Sequence, residues 1–243
     1  MKVSPLKYSK MVLALAGLSV FPLTSQAALS IRLSDGINAD ITIADNATGP
    51  GSLTDLVNTT GFETIIQSIG GWSVNVVSSA NVGSTLTSPL LSLTSFNVTF
   101  NGPSTPASPL KIFLTDTGYG STPGLFNLHV GGTQSGGATI DAKYFYDTGN
   151  NPFALTNQLG VTQTTNLTSY SNDQLAAGPG GTILSPYSLT LEADISSVPS
   201  GSFTSQFTST LATAAVPLPA AAWLFGSALM GFLGMKRRKT AAV

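Results

Sequence analysis

The chain has 243 residues, with eleven acidic and ten basic side chains, one histidine and no cysteine. Without cysteine, thiol catalysis and disulfide stapling are excluded, so a fold must stand on its core or on bound ions. The near-neutral balance hides a segregation: seven of the ten Lys and Arg lie before residue 11 or after residue 235. The stretch between sets all eleven acids against Arg32, Lys111 and Lys143, a net charge of −8. That argues against a nucleic-acid partner, since phosphate neutralisation needs clustered cations.

At the N-terminus, Lys2, Lys7 and Lys10 precede an apolar run from Met11 to Leu23. Ser25 and Ala27 then put small residues at the −3 and −1 positions of a cleavage site, the pattern of a secretory signal peptide spanning residues 1–27. Residues 28–211 read as one passenger domain, 212–219 as a tether with a sorting motif, and 220–239 as a membrane-crossing helix with its basic stop.

Within the passenger, apolar and polar residues alternate with period two between Gly, Pro, Asn and Asp clusters, which predicts strands. Leu29, Ile31 and Leu33 form the first, and Ile41 and Ile43 resume after the turn at Asp35-Gly36-Ile37-Asn38. The stretch from Leu53 to Ile69 is compatible with a short helix by spacing, but its β-branched residues and Gly61 favour strand. Gly70-Gly71 turns into a strand from Trp72 to Val76. Leu91 and Leu93 change parity against Phe96, Val98 and Phe100 across Thr94-Ser95, which predicts a β-bulge. Further strands start at Leu110, Phe126, Thr139, Leu159, Tyr187 and Ser202, with loops at 116–124 and 131–137 and a break at Gly178-Pro179-Gly180-Gly181. About ten short strands and no long helix before Val216 predict an all-β passenger, an antiparallel β-sandwich or jelly roll.

Catalytic constellations are sparse. There is no Gly-x-Ser-x-Gly elbow, phosphate loop or His-Glu-x-x-His, and the single His129 is expected to face solvent from its strand. Glu192 and Asp194 sit two apart on one strand face. They admit two readings: the acid and base of a polysaccharide-active enzyme, or a charged, solvated outer face that discourages edge pairing. Asp116-Thr117-Gly118 and Asp147-Thr148-Gly149-Asn150 offer oxygens for a weak calcium site, with Asp116, Asp147 and Asn150 as ligands, as in a calcium-dependent carbohydrate-binding module. Asx-turns account for the same residues without an ion.

After the passenger come Val216-Pro217-Leu218-Pro219 and an uncharged run from Ala220 to Met235 that includes Trp223, Phe225 and Gly226. Sixteen helical residues span about 24 Å, short for a hydrocarbon core of about 30 Å, and Val216 to Pro219 bring the run to twenty residues. Lys236, Arg237, Arg238 and Lys239 then stop translocation and place the C-terminus on the cytoplasmic side. This order of parts, with Ala-Ala-Trp-Leu-Phe-Gly-Ser inside the helix, resembles the C-terminal sorting signal of PEP-CTERM proteins. Leu218 stands where that family's name motif has Glu. The resemblance implies a bacterial envelope protein handed to an exosortase, an integral membrane cysteine transpeptidase, in cells that make extracellular polysaccharide. The passenger is therefore expected to be a non-catalytic structural, adhesive or polysaccharide-associated domain, exported to the envelope or surface and held transiently at the inner membrane by its tail.

Overall fold

The computed structural model describes residues 29–48, 54–57, 59–80, 90–102, 106, 108–199, 201–214 and 230. Ser25 and Ala27, the sorting motif Val216 to Pro219, the tail residues Ala220, Trp223, Phe225, Gly226 and Met235, and the stop Lys236 to Lys239 lie outside the described residues. Among those described, no helix is long and apolar enough to cross a membrane.

Twelve strands account for the fold: β1 (Ser30–Ser34), β2 (Ile41–Ala44), β3 (Phe62–Ile69), β4 (Trp72–Ala80), β5 (Leu90–Gly102), β6 (Leu110–Tyr119), β7 (Thr122–Gln134), β8 (Thr139–Asp147), β9 (Asn157–Thr165), β10 (Ser169–Ile183), β11 (Tyr187–Ser196) and β12 (Gly201–Thr213). They form two six-stranded sheets. The first runs β2-β1-β6-β11-β8-β9 and the second β10-β7-β12-β5-β4-β3, with every pairing antiparallel. Inward residues of both sheets share one core, so the architecture is an all-β sandwich. Leu189, Leu191, Ala193 and Ile195 of β11 meet Phe203, Phe207 and Leu211 of β12 in that core. Trp72 packs against Phe100 at 5.0 Å and edge-on to Phe203 at 6.4 Å between ring centres. Each fully buried side chain of this size contributes about 1.5–3 kcal/mol of transfer free energy.

The alternating segments fold as strands where the pattern is clean, and Phe62–Ile69 is strand, as its β-branched content requires. The parity change in β5 is a bulge: Val77 pairs with Ser95 and Ser78 with Leu93, leaving Thr94 unpaired with β4. Three expectations need correction. Residues 116–124 are not a loop, because β6 runs to Tyr119 and β7 starts at Thr122, the chain crossing between sheets at Gly120-Ser121. Gly131 and Gly132 are not connector but strand, paired with β10 and β12. Gly178-Pro179-Gly180-Gly181 does not end a strand either; it is an irregularity inside β10, where register shifts between Ala177 and Thr182.

Candidate functional site

Antiparallel pairing sets opposite residues on the same face, and on the outer face of the first sheet it assembles two polar rows. One runs Arg32, Phe113, Glu192, Lys143 across β1, β6, β11 and β8. The next runs Ser34, Lys111, Asp194, Asp141 across the same strands. All three basic residues of the passenger therefore stand on one face. The Lys111 ammonium donates to Glu192 Oε1 at 3.0 Å and lies 3.5 Å from Asp194 Oδ2, while Lys143 Nζ lies 3.5 Å from the same Glu192 oxygen. Burial by itself works against the Lys111 charge, but the hydrogen bond and charge of Glu192, with Asp194 behind it, raise its pKa. Burial raises the Asp194 carboxyl against the pull of Lys111 and Lys143.

Part of this face is roofed. The loop between β8 and β9 folds back over it, held at its root by Asp147, whose Oδ2 accepts the Asn151 backbone N–H at 3.0 Å and side-chain amide at 2.9 Å. Ser188 Oγ donates to the Asn151 carbonyl at 2.7 Å, and the Phe153 N–H donates to Thr115 Oγ1 at 3.2 Å. Phe153 sits at φ 56°, a left-handed conformation that costs a bulky side chain about 1–2 kcal/mol and that its surroundings must enforce. Its ring then faces Arg32: the guanidinium carbon is 4.6 Å from the Phe153 ring centre and 4.3 Å from that of Phe113. Both separations suit cation–π attraction. Phe113, Phe145, Thr115 and Thr190 are buried beneath the roof. Lys111 stays open to solvent, with 41% of its side chain exposed.

The reading of Glu192 and Asp194 as a solvated face guarding an edge is overturned. Strand β11 is interior, with β6 and β8 on either side, and Glu192 is only 2% exposed. His129 does face outward, from β7 of the second sheet, where its Nδ1 pairs with Asp173 at 2.8 Å. Of the calcium residues, Asn150 Oδ1 accepts the Gly118 N–H at 2.7 Å, which brings the two segments together. Yet Asp147 spends both oxygens on its own loop, with Oδ1 accepting from the Thr156 hydroxyl at 3.0 Å, and Asp116 is a fully buried residue of β6 instead of a loop ligand. Among the described residues no group of three His, Asp or Glu side chains is placed to hold a metal ion by itself. The sequence reading missed the Arg32 clamp. Its available signal was that Arg32, Lys111 and Lys143 each fall at the polar parity of their strands.

No family model and no curated protein matches the chain. Among solved structures, similarity extends to the carbohydrate-binding module TmCBM61 in complex with β-1,4-galactotriose, at 12% identity, 56% of this chain, 85% of that chain and a TM-score of 0.26. The enzymatically active domain of tailspike protein 4 of bacteriophage CBA120 matches at 13% identity over 58% of this chain and 19% of that one, with a TM-score of 0.30. The chain thus spans about a fifth of the length of that tailspike domain. At these scores neither likeness carries an argument about function.

Proposed function

We propose that the chain is an exported envelope or matrix protein with a PEP-CTERM-like tail, its sandwich serving as a structural, adhesive or polysaccharide-associated domain instead of an enzyme. The observation that carries the reading is the place of Lys111, whose ammonium lies within 3.5 Å of both Glu192 and Asp194. A glycosidase needs a sugar between its two carboxyl groups; here a cation of the protein's own occupies that place and neutralises them. The same face suits a binder. Arg32, clamped by Phe113 and Phe153, offers hydrogen-bond donors whose ordering entropy is already spent, and the neighbouring Lys111, Asp194 and Lys143, of which Lys111 is the most exposed, supply charged partners for hydroxyl groups. The terminal segments support export and recognition by an exosortase-type enzyme.

A specific observation favours a second reading: the raised Asp194 carboxyl is what a general acid would require. One experiment separates the two. Incubated with a panel of exopolysaccharides, the protein is expected to bind at least one without releasing reducing ends, and Phe153→Ala is expected to weaken binding about tenfold, the effect of one lost contact of about 1.4 kcal/mol. Turnover abolished by Glu192→Gln would replace the binding reading with the enzymatic one.

A further inference from the structure

A second polar cluster lies inside the sandwich, at the end where β1, flanked by β2 and β6, faces β3 of the second sheet. Ser30 pairs with Ala44 on one side and Thr115 on the other, and the Asp45 N–H donates to the Leu29 carbonyl at 2.9 Å. Asp45, Leu29 and Asp116 therefore continue the ladder as one row, and Leu29 is fully buried in the core. From the second sheet, Glu63 enters on the inward face of β3, in line with the buried Ile65 and Ile69. Asp55 closes the group from the preceding loop. Its carboxylate is spent on backbone: Oδ1 accepts the N–H of Thr64 at 2.9 Å and of Val57 at 3.0 Å, and Oδ2 that of Asn46 at 3.1 Å. Asp45 Oδ2 accepts the Gly61 N–H at 2.7 Å.

What remains is a set of orphaned oxygens. By distance and angle, Asp45 Oδ1, both oxygens of Glu63 and Asp116 Oδ2 are buried without a hydrogen-bond partner, the Ile31 backbone lying near the Glu63 carboxyl and the Tyr119 hydroxyl near that of Asp116, and Glu63 and Asp116 are both 0% exposed. The electrostatic neighbours of Glu63 are Asp55 and Asp45, those of Asp45 include Asp55, and those of Asp116 include Asp45. The passenger's cations are elsewhere, on the outer face of the first sheet. Burying carboxylates against one another without a counter-charge is among the costliest arrangements a fold can hold.

We infer that this end of the sandwich is a site for a hard divalent cation, calcium foremost, held by Asp45 and Glu63, with Asp116 adding negative charge from across Leu29. No three acidic side chains converge on one point among the described residues. The ion accordingly takes two carboxylates and completes its shell with backbone carbonyls and water, as calcium does. An all-oxygen donor set, with no cysteine and with the one histidine on the outer face of the second sheet, selects calcium, magnesium or manganese over softer metals. A donor set of two carboxylates completed by backbone carbonyls and water suits calcium better than magnesium, which demands octahedral geometry and sheds water reluctantly. In the ion-free protein the proton is the competitor: burial, then Asp55 and Asp45, push the Glu63 carboxyl up to about 9. Calcium binding must displace that proton and weaken as pH falls.

The test uses the full chain stripped with a chelator, then titrated with CaCl2 at pH 7.5 by calorimetry and followed by thermal unfolding. The expected result is one bound ion per chain and a melting temperature about 3–10 °C higher at 10 to 100 times the dissociation constant. Glu63→Gln, which keeps the shape and removes the charge, should abolish stoichiometric binding; Asp45→Asn gives a second reading should the first variant misfold. Asp147→Asn should leave binding intact. Failure of the wild-type chain to bind at millimolar calcium, retained binding in Glu63→Gln and Asp45→Asn, or loss of binding in Asp147→Asn instead, would each overturn the assignment. Because the readout is ion binding, its failure leaves the glycan-binding reading standing.

Discussion

Glu63 points into the interior on the strand face it shares with Ile65, Gln67 and Ile69, and its titration should be visible in the whole protein. Its folded pKa of about 9 stands above the ordinary 4.5 because of burial and the charges of Asp55 and Asp45. A carboxyl raised in this way stabilises the fold fully below its unfolded value and loses that contribution as pH climbs through the folded one. Asp116, pushed up to about 6 from 3.8 chiefly by burial, acts in the same direction over a lower window. Asp35 and Asp147 act oppositely. Burial works to raise each, but hydrogen bonds from Asn38 and Ile37 to Asp35, and from Asn151 and Thr156 to Asp147, hold them below 3.8, so their contribution fades on strong acidification. The metal-free protein is therefore expected to melt at a higher temperature at pH 5 than at pH 8. Glu63→Gln should flatten the decline above pH 6 while sparing the one due to Asp116; a scan in chelator from pH 4 to 9 checks this, and an unchanged slope in the variant contradicts it. None of this cluster was legible in the sequence, because Glu63 and Asp116 lie on strands of different sheets and Asp45 in the turn after β2, and only the fold makes them neighbours. The parity of Glu192 was legible, but parity names a face and does not say what covers it. Lys111 and Lys143 close over Glu192, and the neighbouring Thr115 and Ser188 are reached by a loop about forty residues away in sequence, through Phe153 and Asn151.

The strands read most easily were those with one apolar and one polar face, such as β11 and β8. Strand β10 was missed because Ser169 to Asp173 carry no apolar alternation; it is an edge strand, and an edge tolerates polar residues on both faces. The glycines misled for a related reason. Gly132 lies in β7 between two partners, and a methyl group placed there would collide with the Gln206 carbonyl and with Phe207 of β12. Glycine is present for close approach of two backbones, not for a turn. Gly132→Ala is accordingly expected to destabilise the domain by about 1–3 kcal/mol, the usual cost of overpacking, read as a lower midpoint in urea at unchanged slope. A neutral result would mean that β7 and β12 separate easily at this position.

For the molecule as a whole, the proposed sorting role of the tail turns on its prolines. A permanent anchor should tolerate Pro217→Ala and Pro219→Ala, since alanine is the better helix former. A sorting signal should not, because a processing enzyme must grip backbone that the prolines keep extended. Mass spectrometry of the mature protein from its host is expected to show loss of the segment from Ala220 onward in the wild type and its retention in the proline variants. An intact C-terminus in the wild-type membrane fraction would leave an anchored domain. Either way the chain leaves the sandwich through β12, a strand locked along both flanks by β5 and β7. A pull on the tail, with the far end of the domain held by a matrix, loads both ladders lengthwise, so their hydrogen bonds must fail together instead of unzipping one by one. The attachment point is thus an interior strand, loaded in shear along two ladders and not peeled from an edge.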